Sequence, residues 1–153
     1  MTIHASARSY SIKEAAALTG LPASTLRYYE QIGVIAPVSR GASSGHRVYD
    51  EGDLDQLMWV SCLAATGMSV SDMRRYMANN RLGADAAADQ QRLLEEQQQR
   101  LAAEAEALVL RQRYVALKIA YWQAVRVGDN AHAEQISAQA LELADELRQA
   151  TGA

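Results

Sequence analysis

The sequence lacks the features of disulfide-stabilised, metal-binding and membrane-spanning proteins. Its single cysteine, Cys62, cannot form an internal disulfide, and alone it cannot build a thiolate zinc site or an iron–sulfur site. No apolar run approaches the roughly 18 residues that a membrane span requires, and the first residues lack the apolar core of a secretory signal. We therefore expect a cytoplasmic protein without a metal, a cofactor or a membrane contact.

Residues that interrupt helices are also scarce. The 153 residues include 2 prolines, 9 glycines and no phenylalanine, but 29 alanines, a composition that favours helix. The length suits one domain with a real core and is too short for two large ones. The sequence therefore predicts a mostly α protein.

Positive charge is concentrated at the front of the chain. Residues 1–49 carry five basic and two acidic side chains, whereas residues 82–153 carry seven basic and eleven acidic ones. Thirteen of the fifteen basic residues are arginine, which suits forked contacts with phosphates and guanine edges. The distribution indicates a nucleic-acid-binding front and a protein-contacting tail, although small domains also differ by a few charges by chance.

Capping and turn signals predict a helix-turn-helix at the front. Ser11 and Glu14 fit a capping box that opens a helix over residues 12–18. Gly20 ends this helix, and a second helix is predicted over residues 23–32. Two short helices joined by a tight turn that contains glycine are typical of a helix-turn-helix.

A wing and a second helix pair are predicted next. Residues 37–45 form a flexible loop and residues 46–49 alternate like a short strand, which indicates a β-hairpin with arginine at both ends. Asp50 is expected to cap a helix over residues 52–65, and Ser69 opens another helix through a second capping box.

The second half predicts one very long helix. Residues 85–127 contain no glycine or proline, and at about 1.5 Å per residue they would span roughly 60 Å. An apolar residue recurs every seventh position, forming what we call the apolar stripe: Leu94, Leu101, Leu108, Val115 and Trp122. The companion positions are mostly polar: Gln91, Gln98, Ala105, Gln112 and Ile119. We expect this helix to pair with a second copy, because a solitary helix would expose a large apolar surface.

A last amphipathic helix is predicted over residues 131–150, after the break at Gly128. Its apolar residues at helical spacing are Ile136, Ala140, Leu143 and Leu147. We expect it to fold back on the dimer interface or on the front domain.

Four motifs in order resemble the MerR family of bacterial transcription regulators. They are Tyr10-Ser-Ile-Lys-Glu14, Leu26-Arg-Tyr-Tyr-Glu30, Gly45-His-Arg-Val-Tyr49 and Gly67-Met-Ser-Val-Ser-Asp72, and the long helix follows them. The resemblance spans residues 9–127. It implies a winged helix-turn-helix DNA-binding domain over residues 10–82 and an antiparallel coiled-coil homodimer built on residues 85–127. It also implies promoter control on the bacterial nucleoid, by distorting spacer DNA and so acting indirectly on RNA polymerase. Residues 1–9 are expected to be a flexible segment.

The resemblance and the chemistry of the side chains point to one set of DNA-binding candidates: Ser24, Thr25, Arg27, Tyr28, Arg40, His46, Arg47, Tyr49 and Ser69. The hydroxyls begin the recognition helix, where free N–H groups can hold a phosphate. Leu26 and Tyr29 are expected to face the core. His46 could equally be a neutral turn residue, and Arg74 and Arg75 could contact DNA or simply lie on the surface.

Cys62 has two interpretations. Its spacing from Leu54, Met58 and Ala65 places it on an apolar helix face, as a buried and inert thiol. Alternatively, residues 61–69 are similar to the aldehyde- and electrophile-responsive branch of MerR regulators, in which a single cysteine precedes a Thr-Gly-Met-Ser turn. That resemblance implies that Cys62 is a sensor for a small electrophile.

Other classes of function remain as alternatives or are disfavoured. A coiled-coil adaptor that binds proteins but not DNA, and a MerR-type regulator with a non-covalent effector, stay open. A thiol enzyme is disfavoured because no histidine lies near Cys62 in sequence and no second cysteine is present. No Ser-His-Asp order, paired-carboxylate site or glycine-rich phosphate loop suggests other catalysis, so we expect no enzyme and no catalytic residues.

Overall fold

The computed structural model describes residues 7–152, so most of the predicted flexible segment 1–9 lies outside the described residues. The elements in order are β1 (Tyr10–Ser11), α1 (Ile12–Thr19), α2 (Ala23–Gln31), β2 (Ser39–Arg40), β3 (Arg47–Tyr49), α3 (Glu51–Ala65), α4 (Val70–Leu82), a 3₁₀ turn (Gly83–Ala86), α5 (Ala87–Arg126) and α6 (Asn130–Thr151). The predicted fold class, mostly α with a winged helix-turn-helix and a long helix, is confirmed.

Local capping chemistry starts three helices of the front part. The Ser11 hydroxyl accepts the Glu14 N–H at 3.2 Å, and the Ser69 hydroxyl accepts the Asp72 N–H at 3.1 Å. Asp50 and Asp53 form a reciprocal capping box at the start of α3. These side chains satisfy N–H groups that a helix leaves unpaired at its first turn, so the helices begin where the sequence predicted.

The wing belongs to a three-stranded antiparallel sheet with strand order β1-β3-β2. Arg40 lies opposite Arg47 in the β2–β3 hairpin, as expected for a wing with arginine at both ends. The pairing of Tyr10 with Tyr49 was not predicted. This pairing brings the start of α1 next to the wing.

Helix α3 packs with a different face from the one that the sequence predicted. Leu57 and Val60 are fully buried, whereas Met58 is 44% exposed and Cys62 is exposed. The expectation that Cys62 lies on the core face is therefore wrong. Apolar residues surround much of this helix, so spacing alone did not distinguish the buried face from the exposed one.

The front compact unit ends at Leu94, and therefore includes the first turns of α5. Asp89 on α5 binds both Arg75 and Asn79 of α4, and the Gln90 amide donates to the Tyr76 carbonyl at 3.0 Å. The hydrogen bonds from Arg75 and Asn79 lower the pKa of Asp89. Because this pKa lies below that of an unfolded aspartate, the contact stabilises the unit at neutral pH and is lost as the pH falls through the lowered pKa.

The second unit begins at Glu95 and contains a helical hairpin of α5 and α6. Ile136, Ala140 and Leu143 of α6 are buried, as the sequence predicted, and Ala133, which the prediction did not include, is buried as well. The fourth predicted residue, Leu147, is half-buried. Ala133 and Ile136 form a cluster with Ala124 of α5, against which the half-buried side chains of Leu117, Ala120 and Tyr121 pack.

Helix α6 packs mainly on the face of α5 opposite the apolar stripe. This packing differs from the expected fold-back on the dimer interface, although the last residues of α6, Ala150 and Thr151, line a cavity together with Leu108 of the stripe. The exposed fractions of the stripe side chains are 42% for Leu94, 39% for Leu101, 52% for Leu108, 55% for Val115 and 65% for Trp122.

Candidate nucleic-acid interface

Helix α2 presents polar and basic side chains outward, as expected for a recognition helix. Ser24 and Arg27 are exposed, Tyr28 is 48% exposed, and Thr25 is half-buried. Leu26 and Tyr29 face the core, where burial raises the pKa of the Tyr29 hydroxyl. Leu26 and Tyr29 are three residues apart and therefore lie on the same face of α2, so the opposite face can contact a ligand.

A concave surface that we call the basic pocket joins α1, α2 and the wing. It has a volume of about 330 Å³ and is lined by Ser11, Ile12, Lys13, Arg27, Arg40, His46 and Arg47. Four of these side chains are cationic at neutral pH, and no carboxylate is among the lining residues. Such a pocket attracts phosphate groups through charge, and arginine adds paired hydrogen bonds.

Lys13 is the cationic residue of the basic pocket that was not among the predicted DNA-binding residues. It lies in the first turn of α1, directly after the Ser11 cap. Its positive charge in a basic front segment was the available signal. Its position beside the wing depends on the pairing of β1 with β3, which connects residues almost forty positions apart.

Arg47 is held in place by a partly buried ion pair. Its Nε donates to Glu30 Oε2 at 2.5 Å, and the two side chains are only 20% and 11% exposed. The other Glu30 oxygen accepts the Val38 N–H at 3.4 Å. Arg47 therefore ties β3 to α2, in addition to lining the basic pocket.

Exposed residues at the tip of the wing form hydrogen bonds with nearby residues of the same hairpin. The Arg40 guanidinium donates to the Gly45 carbonyl at 3.3 Å, which draws its charge towards the hairpin turn. The His46 N–H donates to the Ser44 hydroxyl at 3.3 Å, and the imidazole is exposed. Both side chains remain accessible to a ligand in the basic pocket.

Tyr49 belongs to the core and not to the DNA-contacting surface. Its side chain is fully buried, so the predicted DNA contact of this residue is contradicted by its position. Burial raises the pKa of its hydroxyl, which has no hydrogen-bond partner within residues 7–152. Its position at the end of β3, opposite β1 and above α3, explains this burial.

The second helix pair offers fewer candidates. The Ser69 hydroxyl caps α4, and the residue is exposed. Arg74 is exposed, whereas Arg75 binds Asp89 of α5. Arg75 therefore connects two helices of the front unit, and Arg74 is the better DNA candidate of the two.

Neither a metal site nor a membrane-spanning helix is found in the described part of the chain. Residues 7–152 contain no cluster of three histidine, cysteine, aspartate or glutamate side chains placed to hold an ion. Within the same range, every helix is too short or too polar to cross a bilayer.

Comparison with known proteins identifies the family. The profile of the MerR HTH family regulatory proteins matches residues 10–80. A Haemophilus influenzae HTH-type transcriptional regulator of uncharacterised function is 31% identical over 118 residues, which cover 75% of this chain and 84% of that protein. The Bacillus subtilis HTH-type transcriptional regulator AdhR is 35% identical over 91 residues, or 60% of this chain. The chain spans 64% of the length of AdhR and 49% of a second Bacillus subtilis regulator, YyaN.

A solved structure supports the same assignment. This chain is similar to HiNmlR, a MerR family regulator lacking the sensor domain, whose crystal structure contains promoter DNA. The TM-score is 0.65 at 28% identity, and the match covers 84% of this chain and 96% of HiNmlR. These four relatives are named as regulators, and none of the four is named as an enzyme. The winged helix-turn-helix, the long helix and these matches together show that the chain belongs to the MerR family of helix-turn-helix transcription regulators.

Proposed function

We propose that this protein binds promoter DNA sequence-specifically through α2 and the basic pocket. The observation that carries the proposal is the convergence of Lys13, Arg27, Arg40 and Arg47 from separate segments on one concave surface without a carboxylate. The promoter DNA bound by HiNmlR supports it. In this proposal Arg27 and Tyr28 approach base edges, while Lys13 and the wing contact phosphates.

The regulator acts as a homodimer on an inverted repeat. The two recognition helices would lie on one face of the DNA, about 34 Å apart, which is one turn of the double helix. The exposed apolar stripe supports this dimer, since a second copy would remove it from water. Bound in this way on the nucleoid, the dimer would distort the spacer DNA and so change how RNA polymerase uses the promoter.

Substitutions in the basic pocket test this proposal. We expect Arg27→Ala to cost about 1–3 kcal/mol on the operator and to relax sequence preference, because a base contact is lost. We expect Lys13→Ala to weaken binding to all sequences and to lower the salt dependence by about one counterion. Electrophoretic mobility shifts over a range of salt concentrations measure both.

Arg148→Ala is the control, because Arg148 is an exposed arginine of α6 that pairs with Asp145. It should bind like the wild type. Wild-type protein that shifts no promoter fragment at moderate salt would favour the coiled-coil adaptor instead.

We further propose that Cys62 senses a small electrophile. Its exposure supports this role, since a buried thiol would not react. It stands one turn from the exposed Met58 and near the exposed Trp59, so an apolar electrophile would find a compatible surface. An aldehyde would add through a new S–C bond, with the thiol proton passing to the carbonyl oxygen.

Mass spectrometry and reporter assays test the role of Cys62. Mild treatment with an aldehyde or a quinone should give one adduct per native chain. Cys62→Ser should give none, should still bind the operator, and should lose the transcriptional response. An unchanged response in Cys62→Ser would remove Cys62 as the sensor and would favour a non-covalent effector.

A further inference from the structure

The Tyr49 hydroxyl is fully buried and has no hydrogen-bond partner within residues 7–152. A buried polar group without a partner costs free energy, so its retention calls for a structural or functional reason. Burial raises the pKa of this hydroxyl, which therefore keeps its proton at neutral pH and remains able to donate a hydrogen bond. Tyr49 thus holds an unused donor at the edge of the core.

Glu30 is the acceptor that this donor can serve. The charged side chains that act on the Tyr49 hydroxyl are, in decreasing order of effect, Arg47, Glu30, Arg27 and Asp53. Arg47 lies two residues before Tyr49 on β3, so both side chains leave the same face of the strand, towards α2 and its Glu30. The Asp53 carboxylate is already engaged, because it accepts the Asp50 N–H in the capping box of α3.

Glu30 needs another donor whenever Arg47 leaves it. The Arg47 Nε donates to Oε2 of Glu30 at 2.5 Å, and the Val38 N–H donates to Oε1 at 3.4 Å. Because the Glu30 side chain is only 11% exposed, water has little access to the carboxylate. Arg47 also lines the basic pocket, where a phosphate would draw its guanidinium away from Glu30. A carboxylate left without its cation in such surroundings is costly, and a hydroxyl donor lowers that cost.

We infer that Tyr49 is a positioning residue for DNA binding: when Arg47 turns to a phosphate, the Tyr49 hydroxyl donates to the Glu30 carboxylate in its place. The inference rests on the proposed DNA binding and adds how one of its phosphate contacts is made. Tyr49 stays in the core and does not touch DNA. The new hydrogen bond offsets part of the cost of opening the ion pair.

Tyr49→Phe tests the inference, since it removes the hydroxyl and keeps the ring. The probe is an operator that the wild-type full chain selects from a pool of random DNA duplexes. We expect the affinity for this operator to fall about tenfold in mobility shifts, the effect of losing a hydrogen bond to a charged group. The melting temperature without DNA should not fall, because the hydroxyl has no partner to lose in that state.

The same change in a Glu30→Gln background isolates the exchange of donors. A neutral amide needs no charged or hydroxyl donor in place of Arg47, so Tyr49→Phe should then change the affinity by less than about twofold. Tyr76→Phe is the matched control, because Tyr76 packs half-buried against the same core and does not line the basic pocket. It should bind the operator like the wild type.

Three results would overturn the inference and leave the proposed function intact. Equal affinity of the wild type and Tyr49→Phe would show that Arg47 keeps its Nε on Glu30 and reaches the phosphate with its other nitrogens. An equal loss of affinity in both backgrounds would show that the hydroxyl acts independently of Glu30. A lower melting temperature of Tyr49→Phe would show that the hydroxyl serves the core. A wild type that selects no operator would instead overturn the proposed function, and the inference with it.

Discussion

A chain that carries both Leu101→Asp and Leu108→Asp is expected to be monomeric at micromolar concentration, with its helices retained. Both leucines are exposed in the single chain, at 39% and 52%, so the substitutions leave the intrachain core untouched. A dimer, however, would have to bury four unpaired carboxylates, each at a cost of at least several kcal/mol. We expect the dissociation constant to rise by more than about a thousandfold. Light scattering gives the mass, and circular dichroism the helix content.

Leu141→Asp is the matched control for this experiment. Leu141 is 71% exposed on α6, so the same change in chemistry falls outside the apolar stripe. This variant should stay dimeric. A folded dimer of the double variant would show that the stripe is not the dimer interface. Binding of the double variant to a full inverted repeat should also fall to the level of a single half-site.

Arg47→Ala is expected to have the largest effect on the stability of the front unit. It leaves Glu30, whose side chain is only 11% exposed, without its cation. Loss of one member of a buried pair costs about 3–5 kcal/mol, and the partial exposure here reduces this to about 2–3 kcal/mol. The melting temperature of the unit should fall by roughly 10–20 °C in calorimetry.

A second substitution separates stability from DNA binding. Arg47→Ala with Glu30→Gln should recover most of the lost stability, because a neutral amide needs no cation and can still accept the Val38 N–H. Its affinity for DNA should stay below that of the wild type, since the positive charge in the basic pocket is still missing. Arg27→Ala, which removes an exposed arginine of the same pocket, should leave the melting temperature unchanged. A fully stable Arg47→Ala protein would refute the structural role of the ion pair.

Features that depend on neighbours in sequence could be predicted. Each N-cap side chain accepts a hydrogen bond from the N–H group three residues later, as Ser11, Asp50 and Ser69 do. The capping motifs in the sequence therefore predict where these helices begin. The seven-residue recurrence of the apolar stripe likewise predicted a long helix with an unpaired apolar face. The helical spacing within α2 predicted that Arg27 and Tyr28 face outward and that Tyr29 faces the core. In each case the interaction spans a few residues, so local spacing contains the information.

Features that depend on contacts between distant residues could not be predicted in this way. The buried position of Tyr49, the place of Lys13 beside the wing, and the ion pair between Arg47 and Glu30 all require partners from other elements. The two-residue strand β1 is too short to leave a pattern of its own.

The sequence alone thus determined the order of the helices, the winged helix-turn-helix, the long helix and the family motifs, because capping and periodicity act within one or two turns. The tertiary structure decided which face of α3 is buried, leaving Cys62 exposed. It also decided which face of α5 receives α6, leaving the side chains of the apolar stripe largely exposed. Both helices are apolar on more than one side. Only the shape and packing of the neighbouring elements determine which of those sides is buried.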